Sequence, residues 1–204
     1  MVTKRMNRED LEKIDSQKMF ETYDIWPNIA RNSFKETFEK IDVKDIDHIV
    51  FAGMGGSGAI GNTIQAILSK QNIHVSITKG YLLPKTVDSN TLVIATSVSG
   101  NTNETLEILN SAKKTSAKVI GFSSGGLLEG LCNKNNIKFQ KISMIHSQRA
   151  SYTKFLFSIL NILEPILPIK KNEIDNAITS LEKTRENIFS GNLTENNVAF
   201  DLAK

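Results

Sequence analysis

Five short runs rich in Val, Ile and Phe recur between Asp47 and Ile142: HIVFAGM, HVSITKG, TLVIATS, AKVIGFS and IKFQKI, most of them separated by helix-period segments. A chain written this way has few folds open to it. Strands buried on both sides read as continuous apolar runs, and helical crossovers force them parallel, so the pattern predicts an α/β protein: a parallel sheet with helices on both faces. Ahead of it, REDLEKIDSQKMFETYDIW and NIARNSFKETFEKI carry apolar residues at helical spacing, with Pro27 between two helices. Behind it, SQRASYTKFLFSILNILEPIL reads as one long apolar helix, and NEIDNAITSLEKTRENIF as an amphipathic one beginning after Pro168.

Composition narrows the function. With 204 residues, 40% of them hydrophobic, the chain can bury one core plus some extra helix. The formal charge is +3, but Lys and Arg are interleaved with Asp and Glu, which argues against a dedicated nucleic-acid binder. No apolar run approaches about 18 residues. MVTKRMNREDLEKID lacks the apolar core of a signal peptide, so the expectation is a cytoplasmic protein with no membrane partner. Cys132 is the only cysteine and has no Cys or His at ligand spacing, which predicts a small buried hydrophobe and no metal.

In open parallel sheets, sites lie beyond the carboxyl ends of the strands, near the switch in strand order. The loop after the first strand, FAGMGGSGAIGN, sets glycines and Ser57 ahead of a helix expected from about Ala59. Glycine lets backbone approach a ligand, and a helix start offers unpaired N–H groups to an anion. Gly53, Gly55 and Gly58 also satisfy G-x-G-x-x-G, which raises a dinucleotide site. That site wants an acid at the end of the second strand, where SITKGYLLP has Lys79. A purely structural glycine turn is the third reading of the loop.

The loop after the third strand, ATSVSGNTNETLEIL, places Ser97, Ser99 and Thr102 around Gly100 at a helix entrance. Their hydroxyls and the first-turn amides can converge on one phosphate. Helix capping competes, because Asn101 with Glu104 three residues later resembles a capping box. In HSQRAS, Arg149 enters the apolar helix; it is either a solvated or salt-bridged surface group or a fixed cation near reacting sugar oxygens. His48 and His74 open strands at the far end of the sheet and are expected to be structural, as is His146.

GMGGSG, SVSGNTNETL, GFSSGGLLEG and QRAS, in that order, resemble a sugar isomerase (SIS) domain, most of all the archaeal-type bifunctional phosphoglucose/phosphomannose isomerases; the resemblance covers roughly Ile41 to Leu163. It implies a flavodoxin-like three-layer α-β-α sandwich with a five-stranded parallel sheet, spanning 41–165 between a helical N-terminal segment, 1–40, and a helical connector, 166–204. It implies phosphosugar binding through Gly55, Gly56, Ser57, Ser97, Ser99 and Thr102, and a catalytic Arg149 that steadies an enediolate. It implies a homodimer and neither cofactor nor metal.

Two departures stand out. Gln148 occupies the place where the family usually has proline. The family's glutamate base, histidine and lysine belong to a second SIS half, which its connecting helix enters about where Lys204 stands; Glu173 resembles the base's setting only superficially. The expected function is therefore isomerisation of glucose 6-phosphate or mannose 6-phosphate to fructose 6-phosphate, incomplete as catalysis in this chain. The alternatives are a non-catalytic phosphosugar-binding module and, more distantly, a dinucleotide-binding oxidoreductase domain. The apolar helix, with Phe155, Leu156, Phe157, Ile159, Leu160, Ile162 and Leu163 around most of its circumference, is expected to need a partner surface.

Overall fold

Every one of the five apolar runs forms a strand. The structure, a computed structural model, describes residues 7–193 and 196–203. In it β1 (His48–Ala52), β2 (His74–Thr78), β3 (Thr91–Thr96), β4 (Lys118–Ser123) and β5 (Lys138–Lys141) form a sheet ordered β2-β1-β3-β4-β5. All four pairings are parallel, with His48 opposite both His74 and Thr91. Residues 1–6, 194, 195 and 204, which fall in the expected segments 1–40 and 166–204, lie outside the described residues.

Strand alternation feeds cores on both faces. Ile49 and Phe51 of β1, Leu92 and Ile94 of β3, and Ile120 and Phe122 of β4 point into the larger core. Val50, Ala52 and Val93 enter a core on the other face. A side chain of this size, fully buried, stabilises by about 1.5–3 kcal/mol, so these positions hold the sheet together. Helix α4 (Gly55–Leu68) packs on β1 and β2, α5 (Asn103–Ala112) on β3, and α6 (Gly126–Lys134) on β4 and β5.

The front of the chain breaks more often than its periodicity suggests. It forms α1 (Arg8–Ile14), α2 (Met19–Asp24) and α3 (Trp26–Lys35). Lys18 adopts φ +55 between the first two, and the Phe20 amide donates to the Asp15 carboxylate. Pro27 sits in the first turn of α3, where its missing N–H costs nothing. Rather than running on toward Ile41, α3 stops at Lys35, and its end is held from another element. The Asn161 amide donates to the Phe34 and Glu36 carbonyls, and the Ile41 amide donates to the Ile162 carbonyl.

The expected long apolar helix is shorter and better covered. Its helical part, α7, spans Tyr152–Ile162, with a turn before it and a 3-10 turn, Glu164–Ile166, after it. The Ser151 hydroxyl bonds to the backbone of Ile145 and Ser147, which holds the preceding residues in a turn. Phe155, Phe157, Ile159, Leu160, Ile162 and Leu163 are all buried within the chain. Helix α3 packs along α7, and Ile174 and Ile178 of α8 (Lys171–Ile188) join the same core. The chain's own helices thus cover most of α7, while Leu156 stays half-buried.

A last helix, α9, spans Val198–Leu202. Among the described residues no helix is long and apolar enough to cross a membrane.

Candidate functional site

Strand β1 leads through Gly53 and Met54 straight into α4, which begins at Gly55, four residues earlier than expected. The glycines are what make this sharp entry fit. A β-carbon on Gly58 would lie 2.7 Å from the Gly53 carbonyl oxygen, and Gly55 has φ +52. β-Carbons at Gly55 and Gly56 would meet nothing within 4 Å, so backbone is open to whatever occupies the space beyond. No side chain caps α4, which leaves first-turn amides without a side-chain acceptor. Ser57 is mostly buried, and its hydroxyl has no hydrogen-bond partner among the described residues.

The second loop is wired through Ser97. Its Oγ lies 2.8 Å from Thr102 Oγ1 and accepts the Gly100 amide at 3.1 Å. Ser99 Oγ accepts the Asn101 amide at 3.2 Å. The proposed capping box does not form. Thr102 is the N-cap of α5 and makes no side-chain cap bond, while Asn101 Oδ1 reaches across to accept the Leu127 amide of α6 at 3.0 Å. Asn101 thus serves the neighbouring helix, and the first turn of α5 stays open.

Because α4 and α5 lie on opposite faces of the neighbouring strands β1 and β3, these loops meet at the switch point of the sheet. A cleft of about 510 Å³ opens there. Met54, Gly55, Gly56 and Ser57 line one side, and Val98, Ser99 and Thr102 another. Trp26, Gln148, Arg149 and Tyr152 complete it. Ser97, only 2% exposed, stands behind the lining and acts on it through Thr102 and Gly100. Among the described residues, the wall holds two helix N-termini and a guanidinium but no carboxylate, so its field favours an anion.

Arg149 lies in the turn ahead of α7 rather than in the helix, is exposed, and makes no ion pair among the described residues. Among the described residues nothing supports the salt-bridged reading of its surface role. Trp26 was not among the residues singled out by sequence. It stands 124 positions from Ala150, whose carbonyl accepts its indole N–H at 3.0 Å, and no local spacing links the two. Tyr152 reaches the Thr63 hydroxyl at 3.1 Å.

The other titratable residues lie elsewhere. Glu129 pairs with Lys141 at 3.1 Å, Glu173 accepts the Lys170 amide at 2.7 Å, and neither they nor Glu104 line the cleft. His48 and His74 face each other at the opposite end of the strands, with ring centroids 5.1 Å apart. Burial, and then the neighbouring His74, hold His48 below the usual histidine value. His146 bonds to the Gln17 carbonyl at 2.9 Å. Fully buried Cys132 has its thiol pushed up to about 11 by desolvation, which makes it inert at neutral pH. No acid follows β2: Lys79 does, with its Cε 3.0 Å from where a Gly58 β-carbon would lie.

Residues 42–163 match the SIS domain family. The chain belongs to that family. This SIS domain is similar to the bifunctional phosphoglucose/phosphomannose isomerase of Caldicellulosiruptor bescii, 33% identical over 83% of this chain and 49% of the relative. It is also similar to the enzyme of that name from Aquifex aeolicus, 31% identical over 80% and 47%. The chain spans about half the length of the curated relatives it matches. The fold is shared with glucosamine-6-phosphate deaminase from Thermotoga maritima, at a TM-score of 0.61 and 17% identity over 82% of this chain and 54% of that one.

Proposed function

We propose that the cleft binds the phosphate of a hexose 6-phosphate, and that the chain serves an isomerase interconverting glucose 6-phosphate or mannose 6-phosphate with fructose 6-phosphate. One observation carries this reading: two helix N-termini, neither capped by a side chain, meet over Ser57, Ser99 and Thr102 with Arg149 beside them. The phosphate takes hydroxyls from those three residues and amides from Gly55 and Gly56, while Ser97 holds Thr102 in place. This fixes the sugar, so that ring opening and proton transfer proceed on a positioned substrate. Arg149 then stabilises the oxyanion that develops as a base moves a proton between C2 and C1 through an enediol. The base is not among the cleft's lining residues. A cytoplasmic location and a homodimer go with this reading by resemblance to the family.

The same lack of a carboxylate favours a second reading, a phosphosugar-binding module without catalysis. The dinucleotide reading loses support from Lys79, which stands where an acid would hold the ribose. Calorimetric titration with glucose 6-phosphate, mannose 6-phosphate and NAD, run beside a coupled isomerase assay, tests all three. Saturable binding of the hexose phosphates and none of the dinucleotide is the expected result. Dinucleotide binding without phosphosugar binding would overturn the proposal.

A further inference from the structure

Trp26 is the only tryptophan of the chain and lies outside the family-matched residues 42–163. It nevertheless lines the cleft, half-buried, at the first position of α3. Its polar atom is already committed, because the indole N–H donates to the Ala150 carbonyl at 3.0 Å. Tyr23 packs edge-on against it with centroids 4.8 Å apart, and the Tyr152 ring lies at 6.4 Å. What Trp26 leaves to the cleft is apolar ring surface, held by neighbours on two other helices. The residue next to its hydrogen-bond acceptor is Arg149, so one side chain supplies a wall and steadies the turn that presents the guanidinium.

A site for phosphate alone needs no such wall. The cleft's volume of about 510 Å³ falls in the range of small-molecule sites, ~300–1,000 Å³, where a few polar groups orient a ligand and aromatic surface contacts the rest of it. A hexose has a face of C–H bonds that an aromatic ring covers without leaving a hydroxyl unpaired, and an aromatic ring brings large contact area with little conformational entropy to lose.

We propose that Trp26 is the sugar-recognising wall of the site: its ring covers the C–H face of a hexose whose phosphate is held by Ser57, Ser99 and Thr102. This rests on the phosphosugar reading given above, and it places sugar recognition partly in the N-terminal helical segment.

The test uses the single tryptophan as its own reporter. Fluorescence of the unmodified chain is titrated with glucose 6-phosphate and, separately, with inorganic phosphate, and calorimetry is run on the same samples. Trp26 emission should shift to shorter wavelength with glucose 6-phosphate, saturating at the calorimetric Kd, and should stay unchanged with inorganic phosphate. Trp26→Ala should weaken glucose 6-phosphate at least fivefold and inorganic phosphate less than twofold, whereas Trp26→Phe, which keeps a ring face, should recover most of the loss. Circular dichroism checks the fold of both variants, and the measurement on the unmodified chain decides if either fails to fold. Glucose 6-phosphate binding with a silent Trp26 would overturn this inference and leave the phosphosugar reading standing. Equal weakening of both ligands in Trp26→Ala would also overturn it, since Trp26 would then support only the fold. Failure of glucose 6-phosphate to bind the unmodified chain would overturn the phosphosugar reading itself and this inference with it.

Discussion

The hydroxyls of Ser97 and Thr102 lie 2.8 Å apart, so a serine buried at the end of β3 fixes the side chain of the threonine that opens α5. The cleft therefore depends on a residue that does not line it.

Replacing Ser99 and Thr102 together by alanine removes two hydroxyl contacts to a charged group, each worth about 1.5–3 kcal/mol. Calorimetry should show at least a tenfold loss of affinity for glucose 6-phosphate. Ser97→Ala should weaken binding too, and should also lower stability by about 1 kcal/mol in urea unfolding, because it removes the hydroxyl bond to Thr102 and leaves the Gly100 amide with the Ser97 carbonyl alone. Unchanged affinity in the folded double variant would reject the phosphate site.

Gly100 has φ +71, and a β-carbon there would overlap the Gly125 carbonyl oxygen. The backbone of the next loop stands in the way, and backbone cannot rotate aside as a side chain would. Gly100→Ala should destabilise the chain by at least about 2 kcal/mol in chemical denaturation and impair ligand binding with it.

The chain alone should bind hexose phosphate and hardly turn it over, because no carboxylate of the described residues lines the cleft and a positioned base contributes roughly 10²–10⁴-fold. Addition of a separately expressed second half from a full-length relative should raise the isomerase rate. Arg149→Ala should abolish that gain and leave calorimetric affinity largely intact. Turnover by the chain alone at about 1–10³ per second would place the base within these residues.

His48 is buried between Ser76 Oγ at 2.9 Å and Thr91 Oγ1 at 3.4 Å, with the Thr86 backbone, Asp47 and Asp88 only partly offsetting its desolvation and its repulsion by His74. Its value in the folded chain lies below the 6.5 of an ordinary histidine, so on acidification the unfolded chain takes up the proton first. Well above 6.5 His48 has no effect on the pH dependence; below 6.5, stability falls until the folded form is protonated too. Thermal unfolding should show the melting temperature dropping as the pH is lowered through about 6.5 and below, more steeply than in His48→Asn. Parallel curves would remove His48 as the cause.

The central strands were legible because burial on both faces imposes continuous apolar runs, as in Ile49–Ala52 and Leu92–Ala95, and this signature is local; the edge strands β2 and β5 are only partly buried and carry it more weakly. The loops were legible for a related reason: backbone that must turn sharply or approach closely writes itself as glycine, as at Gly55 and Gly58. Helix ends were less so. Asn101 has the spacing of a cap for its own helix, yet its amide oxygen goes to Leu127, a donor that only the packing of α6 against the β3–α5 loop brings within reach.

The sequence by itself determined the parallel sheet, its five strands and the two glycine- and serine-bearing loops, since periodicity and turn chemistry act over a few residues. Tertiary structure alone decided what covers α7, why α3 stops at Lys35, and that Trp26 shares a cleft with Ser57 and Arg149. Those outcomes follow from which faces meet. A hydrogen bond between residues 124 positions apart is chosen by the packing of whole helices, and no spacing along the chain records it.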